Sequence, residues 1–305
     1  MVNINNAFKN KRLMLALTGL TPDEFNNLLP VFIKEWEQAK QDKYLQEIDT
    51  RKRKPGGGSK GKLKSIADKL FYILFYYKCY PTFDVLGFMF DCDRGNAKKR
   101  KDQFEFILEK TLGRKLVLPK RKISSIEEFL KAFPEVKEIL VDGTERPIQR
   151  PRDNEKQKKN YSGKKKRHTR KNLIVGDKKK RIGFLSKTVE GKKHDFTMFK
   201  EQFLPDHIPK DVKLHVDLAF QGFEDEYPDH AVSMPKKKPK NKELPEADKE
   251  QNKGKSGIRV LIEHAIGGAK RYKIVSDVFR NRNNNADDRA MLITCGLWNY
   301  HLASS

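Results

Sequence analysis

Acidic residues are in short supply in this sequence. Its 305 residues include 41 aspartates and glutamates against 65 lysines and arginines, a formal net charge of +24. Self-repulsion on that scale is tolerable when a polyanion neutralises it, which puts nucleic acid first among expected partners. Long apolar runs are missing as well. A membrane surface would also attract the charge, but nothing approaches the roughly 20 apolar residues that span a bilayer. Cysteine is sparse: Cys79, Cys92 and Cys295 are odd in number and widely spaced, with no Cys-x-x-Cys pair, which argues against a disulfide framework and a zinc ribbon. The stretch LMLALTGL is too short for a secretory leader and runs straight into a helix start, so an intracellular, soluble protein is expected.

What is present is enough for a sizeable core, at 37% hydrophobic residues, and for two compact domains. The first helix is predicted at TPDE, where Thr21 caps, Pro22 occupies the first helical position and Glu24 completes a capping box; FNNLLPVFIKEWEQA continues it, with an interruption expected at Pro30. Residues 51 to 62, RKRKPGGGSKGK, have no apolar period and are expected to be a flexible basic linker. Residues 63 to 79 and 82 to 90, and a third helix from Arg94 to about Leu112, are joined by tight polar turns, the pattern of a helix-turn-helix. The third helix would enter the major groove with its first turns, making Arg94, Asn96, Lys98, Lys99 and Arg100 the candidate reading residues. The bland alternative is a helical bundle with a solvated basic face; the global charge favours DNA.

From about residue 123 strands and helices mix, and an α/β domain is expected. SSIEEFLKAF reads as a capped helix and KEILVD as a strand; HTRKNLIVGD and RIGFLSKTV form an antiparallel hairpin, DFTMFKEQFL a helix, KLHVDLAF a strand and AVSMP a short one. Residues 235 to 256 are polar enough to be a mobile lysine-rich loop, after which a helix begins with Ser256 as its cap, and ADDRAMLITCGLWNYHLA forms the last helix. The expected division is 1–50 helical, 51–62 linker, 63–122 helix-turn-helix and 123–305 α/β domain.

Phosphoryl transfer on a polyanion calls for divalent cations, in pairs about 3.5 to 4 Å apart, and hard cations require carboxylate oxygens held rigidly. Asp142 ends the first apolar strand, Asp217 lies within KLHVDLAF, and Glu263 sits in the helix IRVLIEHAIGG between Ile262 and Ala265. Singly, each is weak; a strand-end Asp is more often a turn former. Arg259 lies four residues before Glu263 on the same helical face, with Lys270 and Arg271 on the following turns, to orient the glutamate or grip phosphate; their bland reading is a surface salt bridge. The run GKKKRHTRKN, including Lys164, Lys165, Lys166, Arg167 and Arg170, reads as a phosphate track. Asp195 reads most simply as the N-cap of its helix.

DGTE at 142 to 145, the Asp of HVDLAFQG and the segment RVLIEHAIGGAKRYKI together resemble the DDE transposases of bacterial insertion sequences, in the Insertion-Sequence-Five and Harbinger-like group. LTGLTPDEF, the segment around TFDVLGFMF, KKHDFTMF and LITCGLWNYHL follow in the family's order, so the resemblance covers most of the chain. It implies a ribonuclease H-like α/β fold, a mixed sheet flanked by helices, preceded by the all-helical helix-turn-helix domain. It further implies that Asp142, Asp217 and Glu263 are catalytic and hold two Mg2+ ions, with Mn2+ able to substitute. The implied reaction cuts double-stranded DNA at terminal inverted repeats, and the freed 3′-hydroxyl attacks a target phosphodiester without a covalent protein intermediate. A homodimer or higher multimer acting in the cytoplasm at the nucleoid is implied as well. Where family members carry a small or polar residue, Gly and then Tyr after the second Asp, this chain has Leu218, Ala219 and Phe220. A catalytically silent DNA-binding protein and a nuclease that cleaves without joining are the competing readings; an RNA-binding role finds no aromatic motif to support it.

Overall fold

The computed structural model describes residues 4–47, 61–203, 205–239 and 243–304; most of the expected linker at 51–62 lies outside them. The chain forms two compact units, one of residues 1–117 with 271–274 and 300–305, the other of 118–270 with 275–299. No helix among the described residues is long and apolar enough to cross a membrane.

The first unit is helical: α1 (Ile4–Phe8), α2 (Lys11–Thr18), α3 (Pro22–Gln46), α4 (Ile66–Cys79), α5 (Phe83–Met89) and α6 (Arg94–Arg114). Thr21 and Glu24 form the predicted capping box. The expected interruption at Pro30 is absent: α3 runs through it, because Phe25, Leu28 and Phe32 bury one continuous face whose packing offsets the lost backbone hydrogen bond. Thr82 and Asp93 cap α5 and α6, and a ring cluster holds the three-helix motif together, with Tyr72 4.7 Å from Phe90 and 5.6 Å from Phe104 between ring centroids. The Tyr72 hydroxyl donates to the Ala97 carbonyl at 2.8 Å, fixing the first turn of α6. Deeper in, Glu105 accepts from Tyr77 at 2.7 Å and pairs with the buried Lys101 ammonium at 2.7 Å.

The second unit is mixed α/β. Its elements are α7 (Ile126–Ala132), β1 (Glu138–Pro147), α8 (Asn154–Asn160), β2 (Tyr161–Ser162), β3 (Arg167–Gly176), β4 (Ile182–Leu185), β5 (Val189–Glu190), α9 (Asp195–Gln202), β6 (Lys213–His215), α10 (Phe223–Glu226), β7 (Val232–Ser233) and α11 (Glu246–Lys270). Two further helices, α12 (Lys273–Ser276) and α13 (Ala286–Ser304), complete the chain. The sheet runs β2-β3-β1-β6-β7, with β4 and β5 also on β3. β1 is antiparallel to β3 and parallel to β6, which is parallel to β7. This curled mixed sheet flanked by helices is the ribonuclease H-like order that the resemblance implies. Phe196, Phe199, Phe203, Phe220 and Phe223 fill its core with rings, and Gly268 of α11 lets Trp298 approach so closely that a Cβ there would meet the indole at 2.2 Å.

Four local expectations need correction. The helix at TPDE is not the first: α1 and α2 precede it, α2 capped by the Asn10 side chain, which accepts from the Leu13 amide. β1 does not end at Asp142 but continues to Pro147, because all eight residues from Leu140 onward pair with β3. Asp217 is not inside a strand: β6 stops at His215, and Asp217 caps a 3-10 turn over Leu218–Phe220. The stretch 235–256 is not all loop, for α11 starts at Glu246 rather than at Ser256. Pro245 accepts from the amides of Asp248 and Lys249, acids occupy the first turn, and Asn252 exchanges two hydrogen bonds with the Lys236 backbone. Polar ends and side-chain ties hold this turn-rich sequence helical with no apolar stripe to announce it.

Removing one partner of a buried ion pair strands the other. Glu105→Ala leaves the Lys101 ammonium with only Asp102 at 3.4 Å and is expected to lower stability by about 3–5 kcal/mol, with Glu105→Gln costing less. Thermal and urea unfolding of the full chain check the ranking.

Candidate active site

The register of β1 on β6 ends at Leu140 opposite His215, so Asp142 and Asp217 both lie two residues beyond that pair, Asp142 within β1 and Asp217 just past the end of β6. Val141 and Val216, just before them, are buried and lock the two backbones. Beyond Asp217, buried Phe220 pins the 3-10 turn against Phe199 at 5.7 Å. Each carboxylate is also oriented locally: the Gly143 amide donates to Asp142 at 2.8 Å and the Ala219 amide to Asp217 at 2.8 Å. Both acids open onto one cavity of about 540 Å³ that Glu263, Asp195 and Glu145 also line.

Burial, and then the charge of Asp217, push the Asp142 carboxyl up to about 6. Arg259 and the Gly143 hydrogen bond oppose that shift, and Asp195 adds to it. Neither Asp142 nor Asp217 forms an ion pair among the described residues. Glu263 reaches the cavity from α11, whose Ile262, Ala265, Ile266 and Ala269 face inward; its side chain is 57% exposed and 4.0 Å from Arg259. The cations are held under opposite strain. Burial, followed by Arg146 and Lys165, lowers the Lys270 ammonium to about 8, and it donates to the Glu145 carbonyl at 2.9 Å.

A divalent ion can be judged against this donor set. Two carboxylates, one desolvated and both without a counter-ion, are hard-oxygen donors whose mutual repulsion a cation would relieve, so Asp142 and Asp217 fit. Glu263 lines the same cavity but leans on Arg259, and among the described residues no three acid, histidine or cysteine side chains are gathered into a closed cluster.

The expected cationic residues divide. Lys164, Lys165, Arg259 and Lys270 line the cavity; Lys166 and Arg167 lie exposed on the same turn without lining it. Arg170 is engaged elsewhere, 3.2 Å from Asp287, and Arg271 donates to the Gly19 carbonyl at 2.8 Å instead of facing the cavity. In the first unit Arg94, Asn96, Lys98 and Lys99 are exposed at the start of α6, while Arg100 is half-buried beside Cys92.

Asp195 does not cap its helix. It is the first residue of α9, its preceding residue His194 makes no side-chain cap, and its carboxylate instead turns into the cavity, 2.9 Å from the Lys171 ammonium. Lys171 also stands 3.7 Å from Glu145 and donates to the Lys193 carbonyl at 3.0 Å. Lys171 gave no clear sequence signal, since Thr169, Arg170 and Asn172 around it are polar; its burial in β3 is what calls for acidic partners. Tyr161, also on the cavity wall, gave no signal because two-residue β2 has no readable period.

Residues 141–299 match a family model described as "DDE superfamily endonuclease", and residues 61–113 match one described as "Helix-turn-helix of DDE superfamily endonuclease". The chain is 32% identical over 294 residues to a protein from Microchaete diplosiphon named "Probable transposase for insertion sequence element IS702", an alignment covering 96% of this chain and 95% of that one. No solved structure gives a significant match.

Two outcomes follow from the cavity's packing. A Cβ at Gly143 would lie 2.5 Å from the Asp195 carboxylate, so Gly143→Ala should destabilise the fold by about 1–3 kcal/mol, and far less on an Asp195→Ala background; a double-mutant cycle by thermal unfolding checks it. For Asp142, the folded protein holds the proton more tightly than the unfolded chain does. Stability therefore falls as pH rises from the ordinary value of 3.8 to about 6, and the full penalty applies above that. Asp142→Asn should stabilise the metal-free protein by about 1–3 kcal/mol above pH 6 and have no effect near pH 4, as read from melting temperatures across that range.

Proposed function

The chain belongs to the DDE superfamily endonuclease family, with that superfamily's helix-turn-helix ahead of the catalytic region, and on that premise we propose that it is the transposase of an insertion sequence. It cuts DNA at terminal inverted repeats and joins the 3′-hydroxyl to target DNA, working as a homodimer or higher multimer in the cytoplasm. The observation that carries this reading is the placing of Asp142, within β1, beside Asp217, just past the end of β6, in a cavity that Lys164, Lys165, Arg259 and Lys270 also line.

In this reading Asp142, Asp217 and Glu263 hold two divalent ions, Mg2+ or Mn2+. When bound, the ions supply water activation and neutralise charge on the phosphate. Asp142 contributes as a carboxylate, a form favoured above about pH 6 before any cation lowers that value. Lys164, Lys165 and Lys270 draw the phosphodiester toward the acids, and Arg259 sets the direction of Glu263. Gly143 and Ala219, through their amides, keep both aspartates aimed without a floppy side chain between them. Arg94, Asn96, Lys98 and Lys99 on α6 contact the DNA ends, with Arg100 playing the smaller part that its half-burial allows.

Asp142→Asn, Asp217→Asn and Glu263→Gln are each expected to lower plasmid cleavage by about 100-fold or more while DNA affinity stays near that of the parent. Cleavage of supercoiled plasmid with Mg2+ or Mn2+, run beside a binding assay, decides it; full activity in any one variant rejects its assignment. Replacing Lys98 and Lys99 together with alanine should weaken DNA binding and reduce the slope of affinity against salt by about two contacts, read from binding isotherms over a salt series.

A further inference from the structure

The turn between β2 and β3 lines the acid cavity and brings to it two chemistries that phosphate binding alone does not require together. Lys164 and Lys165 line the cavity from this turn. The Ser162 hydroxyl accepts from the Lys165 amide at 3.2 Å, and Lys166 adopts φ 50, so the turn has a fixed shape. At its foot Tyr161 also lines the cavity and is 46% exposed, a large ring left open to solvent in a polar surrounding. The ring is held from one side: Tyr161 pairs with His168 across the ladder, and the imidazole meets it edge-on, with centroids 5.7 Å apart and planes at 70°. The contact restrains the tyrosine, while nearly half of the residue stays exposed.

We infer that Tyr161 is a stacking platform for an unpaired base next to the reacting phosphate, so that the protein engages a splayed nucleotide at the DNA end rather than an intact duplex. The inference rests on the reading of the cavity as a DNA-cleaving site and adds to it the form of the substrate. A nucleotide is the ligand with a flat apolar face one sugar away from an anion, which matches an exposed ring beside Lys164 and Lys165. A paired base hides its faces in the helical stack, so only an unstacked one can lie on the tyrosine. Stacking tolerates any base, so Tyr161 would select for strand separation rather than for sequence.

The test uses the full-length protein and two DNA probes, a blunt duplex and the same duplex with a short single-stranded overhang carrying 2-aminopurine. Wild type should bind the overhang probe more tightly than the blunt one and quench its fluorescence. Tyr161→Leu, which keeps a bulky residue suited to an exposed strand, should lose the quenching and weaken overhang binding by about tenfold or more, leaving blunt-duplex affinity unchanged. Tyr161→Phe and Tyr161→Trp should retain both properties. Equal affinity of wild type and Tyr161→Leu for the overhang overturns the inference, as does a Tyr161→Phe variant that behaves like leucine, since the hydroxyl and not the ring would then be the contact. Failure of the catalytic reading looks different: the Asp142→Asn protein would still cut, whatever the overhang binding did.

Discussion

Two carboxylates that repel each other, with no ion pair to neutralise them among the described residues, set the terms for the cavity. Asp142 is pushed up to about 6 by burial and by Asp217, while Lys270, on the other wall, is lowered to about 8 by burial and by neighbouring cations. Asp142 and Asp217 make no ion pair among the described residues, and Lys270 meets a carbonyl rather than a carboxylate. Direct contact between them would end both strains. Instead the Lys270 ammonium goes to the Glu145 carbonyl, and the aspartates accept backbone amides. A divalent ion carrying a phosphodiester would satisfy both walls at once, which is why the same geometry suits metal-assisted phosphoryl transfer and is costly to keep empty.

The sheet is what sustains that cost. β1 makes a long ladder with β3 on one side and a parallel pairing with β6 on the other, so Asp142 sits on the best-supported strand of the unit. Parallel pairing is also what brings Asp217 alongside: in an antiparallel neighbour the residue two positions beyond the pair would run the opposite way. The ring cluster of Phe199, Phe220 and Phe223 then closes the chain immediately after Asp217 into a turn that cannot swing away.

How much of this was readable from sequence varies with the kind of support involved. Asp142 and Asp217 were legible because their neighbours Leu140, Val141 and Val216 are apolar, and burial beside an acid leaves a mark in composition. The mixed fold and the three-helix motif were legible from period and caps, such as Thr82 and Asp93. Features decided by partners distant in sequence were not. Asp195 matches a cap by position, and only Lys171, 24 residues earlier, turns it into the cavity. The N-terminal half of α11 lacks an apolar stripe and depends on ties to Lys236 and Met234 across the preceding loop. Arg271 and Arg170 read as a continuation of basic runs, but each meets a specific acceptor, Gly19 in one case and Asp287 in the other.

Several acids of the second unit are paired with nearby cations. Glu138 is 2.8 Å from Lys178, Asp177 is 3.2 Å from Arg181, Asp287 is 3.2 Å from Arg170 and Asp288 is 2.5 Å from Arg121. Inside the cavity Lys171 attends to both Glu145 and Asp195. In a chain with 24 more basic than acidic side chains, cationic partners are plentiful, so an acid without one is not short of candidates. Asp142 and Asp217 have none among the described residues, and Glu263 has only Arg259 at 4.0 Å. Exposed acids such as Glu224 and Asp225 also lack an ion pair, but water solvates them; Asp142 is desolvated beside a second carboxylate, and a desolvated pair without a cation is a site suited to an external charge.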